Sequence, residues 1–375
     1  MTFKLKPTLS LLLILFGLNL TAQNKQGAIV SGVPWYDQNG NTVSARGAGI
    51  IREGDRFYLF GELKSDTANA FAGFACYSSD DLHHWKFERL ALPVQNGGRL
   101  GSGRVGERPK VLKCRATGEF VMLMHTDDLG YKDPCVGYAT SKTIDGEYTF
   151  QGPLLFEGEL IRKWDIGAFQ DADGTGYLIT HSGNLFKLND DYKSVTEQIL
   201  ANMTPHCEAP VIFRKDSLYY WIGSELTSWE RNDNYYFTAR SLRGPWISRG
   251  YIAPEGKLTW NSQSTAVIPV CGTADTTFLF MGDRWAFPRQ QSAATYVWQP
   301  LIVNGSSLSM PVFEQSWALD LATGKWEAME IEGEVVGCAS SQVRTDGTWI
   351  AVAPADGSGE IICSKEAGSN LQFDF

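Results

Sequence analysis

A strand phrase that recurs five times constrains the fold of this chain more than any other feature of the sequence. Each copy consists of a short apolar strand opened by a conspicuous residue, a turn, and a second strand rich in aromatic residues. The second strands are Gly54–Phe60, Gly118–Leu123, Gly174–Ile179, Asp216–Trp221 and Asp275–Phe280. A strand repeat of roughly 40–65 residues is typical of β-propellers, in which equivalent positions of all blades converge on one axis.

The rest of the chain is also typical of an all-β protein. Helical periodicity is hard to find after the first 23 residues, whereas runs of β-branched and aromatic residues alternate with Gly, Asp, Asn and Pro. Each phrase continues into a third strand and a closing aromatic segment, as in Arg243–Trp246 and Thr323–Trp326. We therefore predict a five-bladed β-propeller over residues 24–328, followed over residues 329–375 by a short C-terminal β extension or partial β-sandwich.

The first 23 residues have the pattern of a cleaved secretory signal. Lys4 and Lys6 precede an apolar run from Leu9 to Leu20, and Ala22 is a small residue at the expected cleavage position. The run is too short to span a bilayer. We therefore expect cleavage near Ala22–Gln23 and a secreted or periplasmic protein with no membrane insertion.

The composition favours an uncharged ligand that aromatic side chains can bind. With 42 acidic and 33 basic residues the net charge is -9, which argues against nucleic acid or an anionic membrane as the partner. The 12 Trp, 14 Tyr and 20 Phe can pack blades and can also stack on sugar rings. The seven cysteines form no CxxC pair, so no zinc motif is present. We expect a monomer.

Four polar residues open the predicted inner strands: Glu107, Asp165, Glu208 and Gln263. In a propeller these side chains share one pocket at the axis. Crowded carboxylates raise one another's pKa, which keeps a general acid protonated near neutral pH. Glycoside hydrolysis needs such an acid and a second group that places water on the opposite face of the sugar. The pattern therefore indicates a catalytic site.

Several motifs together resemble the glycoside hydrolases of family 43, and in particular the exo-β-1,3-galactanases. These motifs are Gly106–Lys110, Arg162–Asp165, Cys207–Pro210, Ser262–Thr265, Met281–Trp285 and Tyr296–Leu301. The similarity runs from about residue 45 to residue 325 and keeps the same order. It implies a five-bladed propeller and inversion of the anomeric configuration, in agreement with the repeat.

The resemblance also implies roles for individual residues. Glu208 resembles the general acid, and Asp165 the carboxylate that orients it and tunes its pKa. Most family members have an aspartate base on the first blade, where this chain has Gly47–Gly49. In the galactanase-like branch a glutamine equivalent to Gln263 holds the nucleophilic water, through an imidic-acid tautomer. Glu107 is the alternative base on chemical grounds, although the resemblance implies a substrate ligand.

Residues near the same rim are candidates for substrate binding, with ordinary loop and blade contacts as the alternative interpretation. They are Arg108, Tyr131, Asn184, Thr227, Trp229 and Arg284. The acids that end second strands are expected to bind neighbouring backbone instead: Glu62, Asp127 and Asp283. His125, His181 and His206 lack metal-ligand spacing. We predict no cofactor and no metal site, although some family members hold a calcium ion at the axis.

The predicted function is an exported, inverting glycoside hydrolase that acts on a polysaccharide or oligosaccharide. It would remove galactose from the non-reducing end of β-1,3-galactan, the backbone of arabinogalactan. The alternatives are an α-L-arabinofuranosidase or β-galactofuranosidase of the same family, or a carbohydrate-binding propeller that has lost its catalytic base.

Overall fold

The structure, a computed structural model, describes residues 27–228 and 230–329 and five short strands beyond them. The predicted signal segment, residues 1–23, lies outside the described residues. Among the described residues, no helix has the length and apolar character needed to cross a lipid bilayer. Helical structure in the described part of the chain is limited to the 3₁₀ turns Gly98–Leu100 and His181–Gly183 and the short helix α1 (Leu258–Asn261).

In four of the propeller blades the strands are antiparallel and follow one another in chain order. After the N-terminal strand β1 (Ala28–Val30), blade 1 contains β2 (Arg46–Glu53), β3 (Arg56–Glu62), β4 (Phe74–Ser79) and β5 (Lys86–Leu92). Blade 2 contains β6 (Arg104–Lys113), β7 (Phe120–Asp128), β8 (Cys135–Ser141) and β9 (Thr149–Pro153). Blade 3 contains β10 (Leu155–Phe156), β11 (Glu159–Leu160), β12 (Ile166–Gln170), β13 (Gly176–Thr180), β14 (Asn184–Leu188) and β15 (Val195–Leu200). In blade 3 the first two strands add to the outer edge of the sheet, where β10 pairs in parallel with β15.

The remaining strands complete the fold. Blade 4 contains β16 (Glu208–Lys215), β17 (Leu218–Ser224), β18 (Tyr235–Ala239) and β19 (Ile247–Tyr251). Blade 5 contains β20 (Gln263–Cys271), β21 (Thr276–Arg284), β22 (Thr295–Asn304) and β23 (Ser307–Ser309). Two strands follow, β24 (Ser316–Asp320) and β25 (Lys325–Ala328). The predicted C-terminal extension contains β26 (Gly333–Gly337), β27 (Thr345–Asp346), β28 (Ile350–Ala351), β29 (Glu360–Ser364) and β30 (Asn370–Leu371).

The fold is a six-bladed β-propeller, so the prediction of five blades is wrong. The sixth blade is a three-stranded sheet in which β24 pairs with both β25 and the N-terminal strand β1, with Ala28 opposite Ala318. The sequence interpretation had assigned Thr323–Trp326 to the fifth blade, which instead ends at β23. The sixth blade carries no copy of the repeated phrase because its strands come from both ends of the propeller.

The sixth blade packs against the seam between blades 1 and 5. Its residues Ile29 and Trp317 belong to one buried cluster with Leu59 of blade 1 and Trp298 of blade 5. The inner strands β2, β6, β12, β16 and β20 each contact the next, and β20 contacts β2, so blades 1 to 5 form a closed ring around the axis to which the described strands of the sixth blade do not belong. Burial of large side chains such as Trp298 contributes about 2–3 kcal/mol each to this packing.

Bulges interrupt four inner strands near the end of the ring where the predicted site residues lie. The register shifts between Arg46 and Gly49, Glu107 and Lys110, Glu208 and Val211, and Ser264 and Ala266. Left-handed backbone accompanies three of these irregularities, at Gly47, Arg108 and Ala209, and also occurs at Asp165 just before β12, with φ between 49° and 58°. A bulge redirects side chains, and non-glycine residues persist in this conformation only where the surroundings hold them.

Candidate active site

The predicted catalytic residues meet in a pocket of about 540 Å³ at this end of the ring. Glu107 comes from β6, Asp165 from the residue before β12, Glu208 from β16 and Gln263 from β20. The other lining residues are Glu62, Lys64, Asn69, Arg108, His125, Leu129, Tyr131, Trp164, Trp285, Phe287 and Gln290. The repeat therefore places the four polar residues together, and their roles follow from their contacts.

Glu208 has the properties of a proton donor. Its Oε1 accepts a hydrogen bond of 2.8 Å from Nε2 of Gln263. Burial and the nearby negative charge of Asp165 raise the pKa of Glu208 to about 8, although the charge of Arg108 and the bond from Gln263 oppose the change. The carboxyl group is therefore mostly protonated at neutral pH, the state that a general acid requires.

Asp165 links the acid's strand to a buried arginine. Its Oδ1 lies 2.6 Å from Nε of Arg108, and its Oδ2 accepts a hydrogen bond from the backbone N–H of Ala209, the residue after Glu208. The carboxylate thus has a fixed position close to the acid without bonding to it. This position agrees with the predicted role of tuning the acid's pKa.

Arg108 and Trp285 fix the orientation of Gln263. The amide Oε1 accepts 2.6 Å and 3.0 Å hydrogen bonds from Nη2 of Arg108 and Nε1 of Trp285. Nη1 of Arg108 donates to the backbone oxygen of Ser264 at 2.9 Å, which anchors the guanidinium to β20, the strand that carries Gln263. Because both acceptor sites of the amide oxygen are in use, Gln263 presents its N–H groups to Glu208 and the pocket.

Glu107 is held as an ionised carboxylate. Its Oε1 accepts a 2.7 Å hydrogen bond from the Tyr131 hydroxyl and lies 3.6 Å from Nζ of Lys64, and its Oε2 lies 3.2 Å from Nδ1 of His125. Burial alone would raise the pKa of Glu107, but the Lys64 charge and the two hydrogen bonds lower it well below its usual range. An ionised carboxylate accepts hydrogen bonds from sugar hydroxyls, but a depressed pKa makes it a weak base.

His125 lies between the carboxylates of Glu107 and Asp127. Its Nε2 lies 3.2 Å from Oδ2 of Asp127. Burial would lower the pKa of His125, but hydrogen bonds to Asp127 and Glu107 raise it to about 9. The imidazolium therefore contributes a second positive charge next to Glu107 at neutral pH.

Comparison with known proteins identifies the family. The model of the glycosyl hydrolases of family 43 matches residues 43–283. The chain belongs to this family. The predicted resemblance is thus confirmed, and the protein is a glycoside hydrolase that acts on oligosaccharides or polysaccharides. No curated protein matches the chain.

Solved structures of family 43 enzymes have the same fold. A variant of the exo-β-1,3-galactanase from Phanerochaete chrysosporium, solved with β-1,3-galactotriose, is 33% identical to this chain. The match covers 88% of this chain and 78% of the galactanase chain, with a TM-score of 0.74. The exo-β-1,3-galactanase from Clostridium thermocellum is 27% identical, with coverages of 92% and 88% and a TM-score of 0.73. A β-1,3-galactosidase with galactodeoxynojirimycin is 28% identical, with coverages of 76% and 98% and a TM-score of 0.68.

The substrate-binding candidates of this family 43 enzyme separate into two groups. Arg108 and Tyr131 line the pocket, whereas Asn184, Thr227 and Arg284 are not among its lining residues. Trp229 lies outside the described residues.

The three candidates outside the pocket lining bond to neighbouring loops. Asn184 is buried and donates to the backbone oxygen of His181 at 2.6 Å. Thr227 bonds to Asn232, and Arg284 donates to the backbone oxygen of Trp260 at 2.9 Å. The loop and blade-contact interpretation therefore describes the observed contacts of these three residues.

Sequence reasoning missed a buried ion pair in the pocket wall. Nζ of Lys64 lies 2.6 Å from Oε2 of Glu62 and donates to Oδ1 of Asn69 at 3.1 Å. Glu62 also accepts a 2.9 Å hydrogen bond from the backbone N–H of Arg108, the kind of contact that was expected of it. Burial raises the pKa of Glu62, although Lys64 opposes the change. Lys64 comes from the loop after β3, where no repeat marks it.

The first-blade position that lacks an aspartate has no room for one. A Cβ atom on Gly47 would lie 2.2 Å from Oε1 of Glu62, and the φ angle there is 58°. The Gly47 N–H donates to Oδ2 of Asp283 at 2.8 Å, and its carbonyl oxygen accepts from Nζ of Lys110 at 2.8 Å. Glu62 from the second strand therefore occupies the space that a side chain at position 47 would need.

One side-chain group among the described residues could hold a metal ion, and it lies away from the pocket. The ligand atoms of Asp81, His83 and His84 lie within 4.8 Å of one another. Oδ1 of Asp81 already accepts hydrogen bonds from the backbone N–H groups of His83 and His84, at 3.1 Å and 2.8 Å. None of the three lines the pocket, so they take no part in its chemistry.

Proposed function

We propose that this family 43 enzyme is an exo-acting β-1,3-galactanase that releases galactose from the non-reducing end with inversion. The observation that carries the proposal is the hydrogen bond between the Glu208 carboxyl, whose pKa is raised, and the oriented amide of Gln263 in a single pocket. Two residues that line the pocket, Arg108 and Gln263, are buried, so the pocket is closed on their side, which favours a terminal sugar over a chain that passes through. The ligands of the similar enzymes, β-1,3-galactotriose and galactodeoxynojirimycin, support galactose as that sugar.

In the proposed mechanism Glu208 protonates the glycosidic oxygen as the bond to the leaving group breaks. The remaining negative charge is tolerated because Arg108 lies nearby, ion-paired to Asp165. Glu107 and Tyr131 form a hydrogen-bonded pair in the pocket wall that can bind the hydroxyls of the terminal sugar. These groups place the anomeric carbon against the acid, which is the positioning part of catalysis.

Two residues, Glu107 and Gln263, are candidates for activating the water that attacks the anomeric carbon. Glu107 is a weak base because its pKa is depressed. Gln263 as an ordinary amide donates hydrogen bonds to water instead of accepting them. The two donors on its Oε1, one of them the cationic guanidinium of Arg108, hold the amide so that Nε2 faces the pocket and can orient the attacking water. When the water oxygen bonds to the anomeric carbon it becomes strongly acidic, so even the weakly basic carboxylate of Glu107 can take its proton. We therefore assign the placing of the water to Gln263, and its proton together with the sugar hydroxyls to Glu107.

The cellular context of the enzyme is part of the same proposal. The apolar run Leu9–Leu20 supports export with cleavage near Ala22–Gln23. The enzyme would act outside the cytoplasm as a monomer and without a cofactor. Amino-terminal sequencing of the exported protein tests the cleavage site, and light scattering tests the oligomeric state.

The test is the variant Glu208→Gln, assayed for release of galactose from β-1,3-galactan. Loss of the acid should lower kcat by about 10³-fold while the protein stays folded. Proton NMR of the first product formed should show α-galactose, the result of inversion at a β-linkage. The matched control is Glu197→Gln, a glutamate of β15 paired with Arg243, which should keep wild-type activity.

Other outcomes would assign the site differently. Near-normal activity of Glu208→Gln would remove the acid assignment. Hydrolysis of aryl α-L-arabinofuranosides or β-galactofuranosides but not of galactan would favour the alternative specificities. Binding of galactan without hydrolysis of any of these substrates would indicate a carbohydrate-binding propeller.

A further inference from the structure

A half-exposed tryptophan lines the pocket next to Asp165. Trp164 is 43% exposed, lines the pocket and directly precedes Asp165. We propose that Trp164 is the platform on which the leaving-group sugar stacks, the second galactose unit counted from the non-reducing end. This inference rests on the proposed function, because it names a subsite of the same pocket.

The indole of Trp164 is held in place by a histidine beneath it. Its ring stacks on the imidazole of His181 with a centroid distance of 3.4 Å and an interplanar angle of 11°. Nδ1 of His181 lies 2.9 Å from the backbone carbonyl oxygen of Trp164 and 3.1 Å from its backbone nitrogen, and the backbone N–H of His181 donates to the same carbonyl oxygen at 3.3 Å. One indole face is thus covered, and the exposed surface belongs to the other face and the ring edge.

The supporting histidine is uncharged at neutral pH. Burial lowers the pKa of His181 to about 4. The platform is therefore an apolar aromatic surface with no charge directly beneath it. Such a surface suits the face of a pyranose ring that carries C–H groups, since aromatic faces attract the positive edge of polarised C–H bonds.

The position of Trp164 relative to the acid assigns it to the leaving group. Trp164 is adjacent in sequence to Asp165, which bonds to the backbone of the residue after Glu208. The acid must contact the glycosidic oxygen, and this oxygen joins the terminal sugar to the next one. The charged groups that suit hydroxyls of the terminal sugar, Lys64 and Glu107, come from blades 1 and 2. The neutral surface beside the acid therefore faces the next sugar.

The first experiment measures binding without turnover. In the Glu208→Gln protein, calorimetry compares β-1,3-galactobiose with galactose, and the second sugar of the disaccharide probes the platform. Adding Trp164→Ala should weaken binding of galactobiose about tenfold relative to galactose, the size expected for loss of one stacking contact. Trp164→Phe should restore most of the difference. Tyr36→Ala, which removes an exposed aromatic side chain outside the pocket lining, should leave the ratio unchanged.

The second experiment uses hydrolysis by protein with Glu208 intact. The ratio of kcat/KM for β-1,3-galactobiose to kcat/KM for β-galactosyl fluoride should fall about tenfold in Trp164→Ala, because the fluoride has no leaving-group sugar. An equal loss on both substrates, or no change in the ratio, would overturn the platform. If galactobiose binds in a Trp164-dependent way but wild type hydrolyses neither substrate, the proposed function fails and the platform stands. If galactobiose does not bind at all, both fail.

Discussion

Replacing Glu208 by glutamine should make the enzyme more stable in alkaline solution even as it removes activity. The folded protein holds this carboxyl at a pKa of about 8, against an ordinary value of 4.5, because the group is buried near the charge of Asp165. A raised pKa means that the folded state binds a proton that the unfolded state has released. The wild-type free energy of unfolding must then fall as pH rises from about 4.5 towards 8.

The size of the effect follows from the pKa difference. One proton difference changes the free energy of unfolding by about 1.4 kcal/mol per pH unit, so the full range corresponds to at most about 5 kcal/mol. Part of the Glu208 side chain reaches solvent, which screens its charge, and we expect about 2–4 kcal/mol. The variant Glu208→Gln has no such titration. It should match wild type near pH 4.5 and exceed it by this amount above pH 8.

The assay is urea unfolding of both proteins at pH 5, 6, 7, 8 and 9. Glu107→Gln is the matched control with the opposite sign. Because the folded state lowers the pKa of Glu107, its carboxylate stabilises the fold above about pH 4.5 and loses this effect in acid. That variant should be less stable than wild type by a nearly constant amount from pH 5 to 9, and the difference should shrink only below about pH 4.5. A stability difference for Glu208→Gln that is constant from pH 5 to 9 would refute a raised pKa.

Two further substitutions test the pocket wall. Gly47→Asp should lower the free energy of unfolding by about 2–4 kcal/mol and should not increase galactose release, because its side chain would enter the space of the Glu62 carboxylate. The control Gly54→Asp has a similar φ of 61° but no atom within 4 Å of the added Cβ, so it measures the backbone strain alone. Equal losses of stability in both variants would argue against crowding at Gly47. Lys64→Met should raise the pKa of Glu107 and so move the acid limb of the pH profile of kcat/KM to higher pH. Lys64→Arg keeps the positive charge and should leave the acid limb near its wild-type position. An acid limb that does not move in Lys64→Met would show that the Lys64 ammonium does not hold Glu107 ionised.

The sequence predicts the centre of the site well because the propeller repeat fixes equivalent positions. Glu107, Glu208 and Gln263 each open or lie at the start of an inner strand, and a ring of inner strands brings such positions to one axis. Asp165 follows the same pattern one residue before its strand. The periodic part of the sequence thus carries the information for these four residues.

The features that the sequence did not predict are the aperiodic ones. The sixth blade depends on pairing between β1 and β24, and no local pattern reports a contact between segments so far apart. Lys64 and Trp164 reach the pocket from loops, where position depends on the path of the backbone. The sequence makes Asn184 and Arg284 candidates because they fall in loops or strand ends near the rim, but their hydrogen bonds serve the loops around them.

The pattern of ion pairs singles out Glu208 for the proposed role of general acid. Four carboxyl groups line the pocket, and three of them have a cationic nitrogen within 4 Å: Glu62, Glu107 and Asp165. Among the described residues Glu208 has no such partner, and its hydrogen bond comes from the neutral amide of Gln263. A lysine or arginine at that place would hold the carboxyl ionised, as Lys64 does for Glu107. The neutral glutamine to which we assign the attacking water is therefore also the neighbour that lets Glu208 keep its proton.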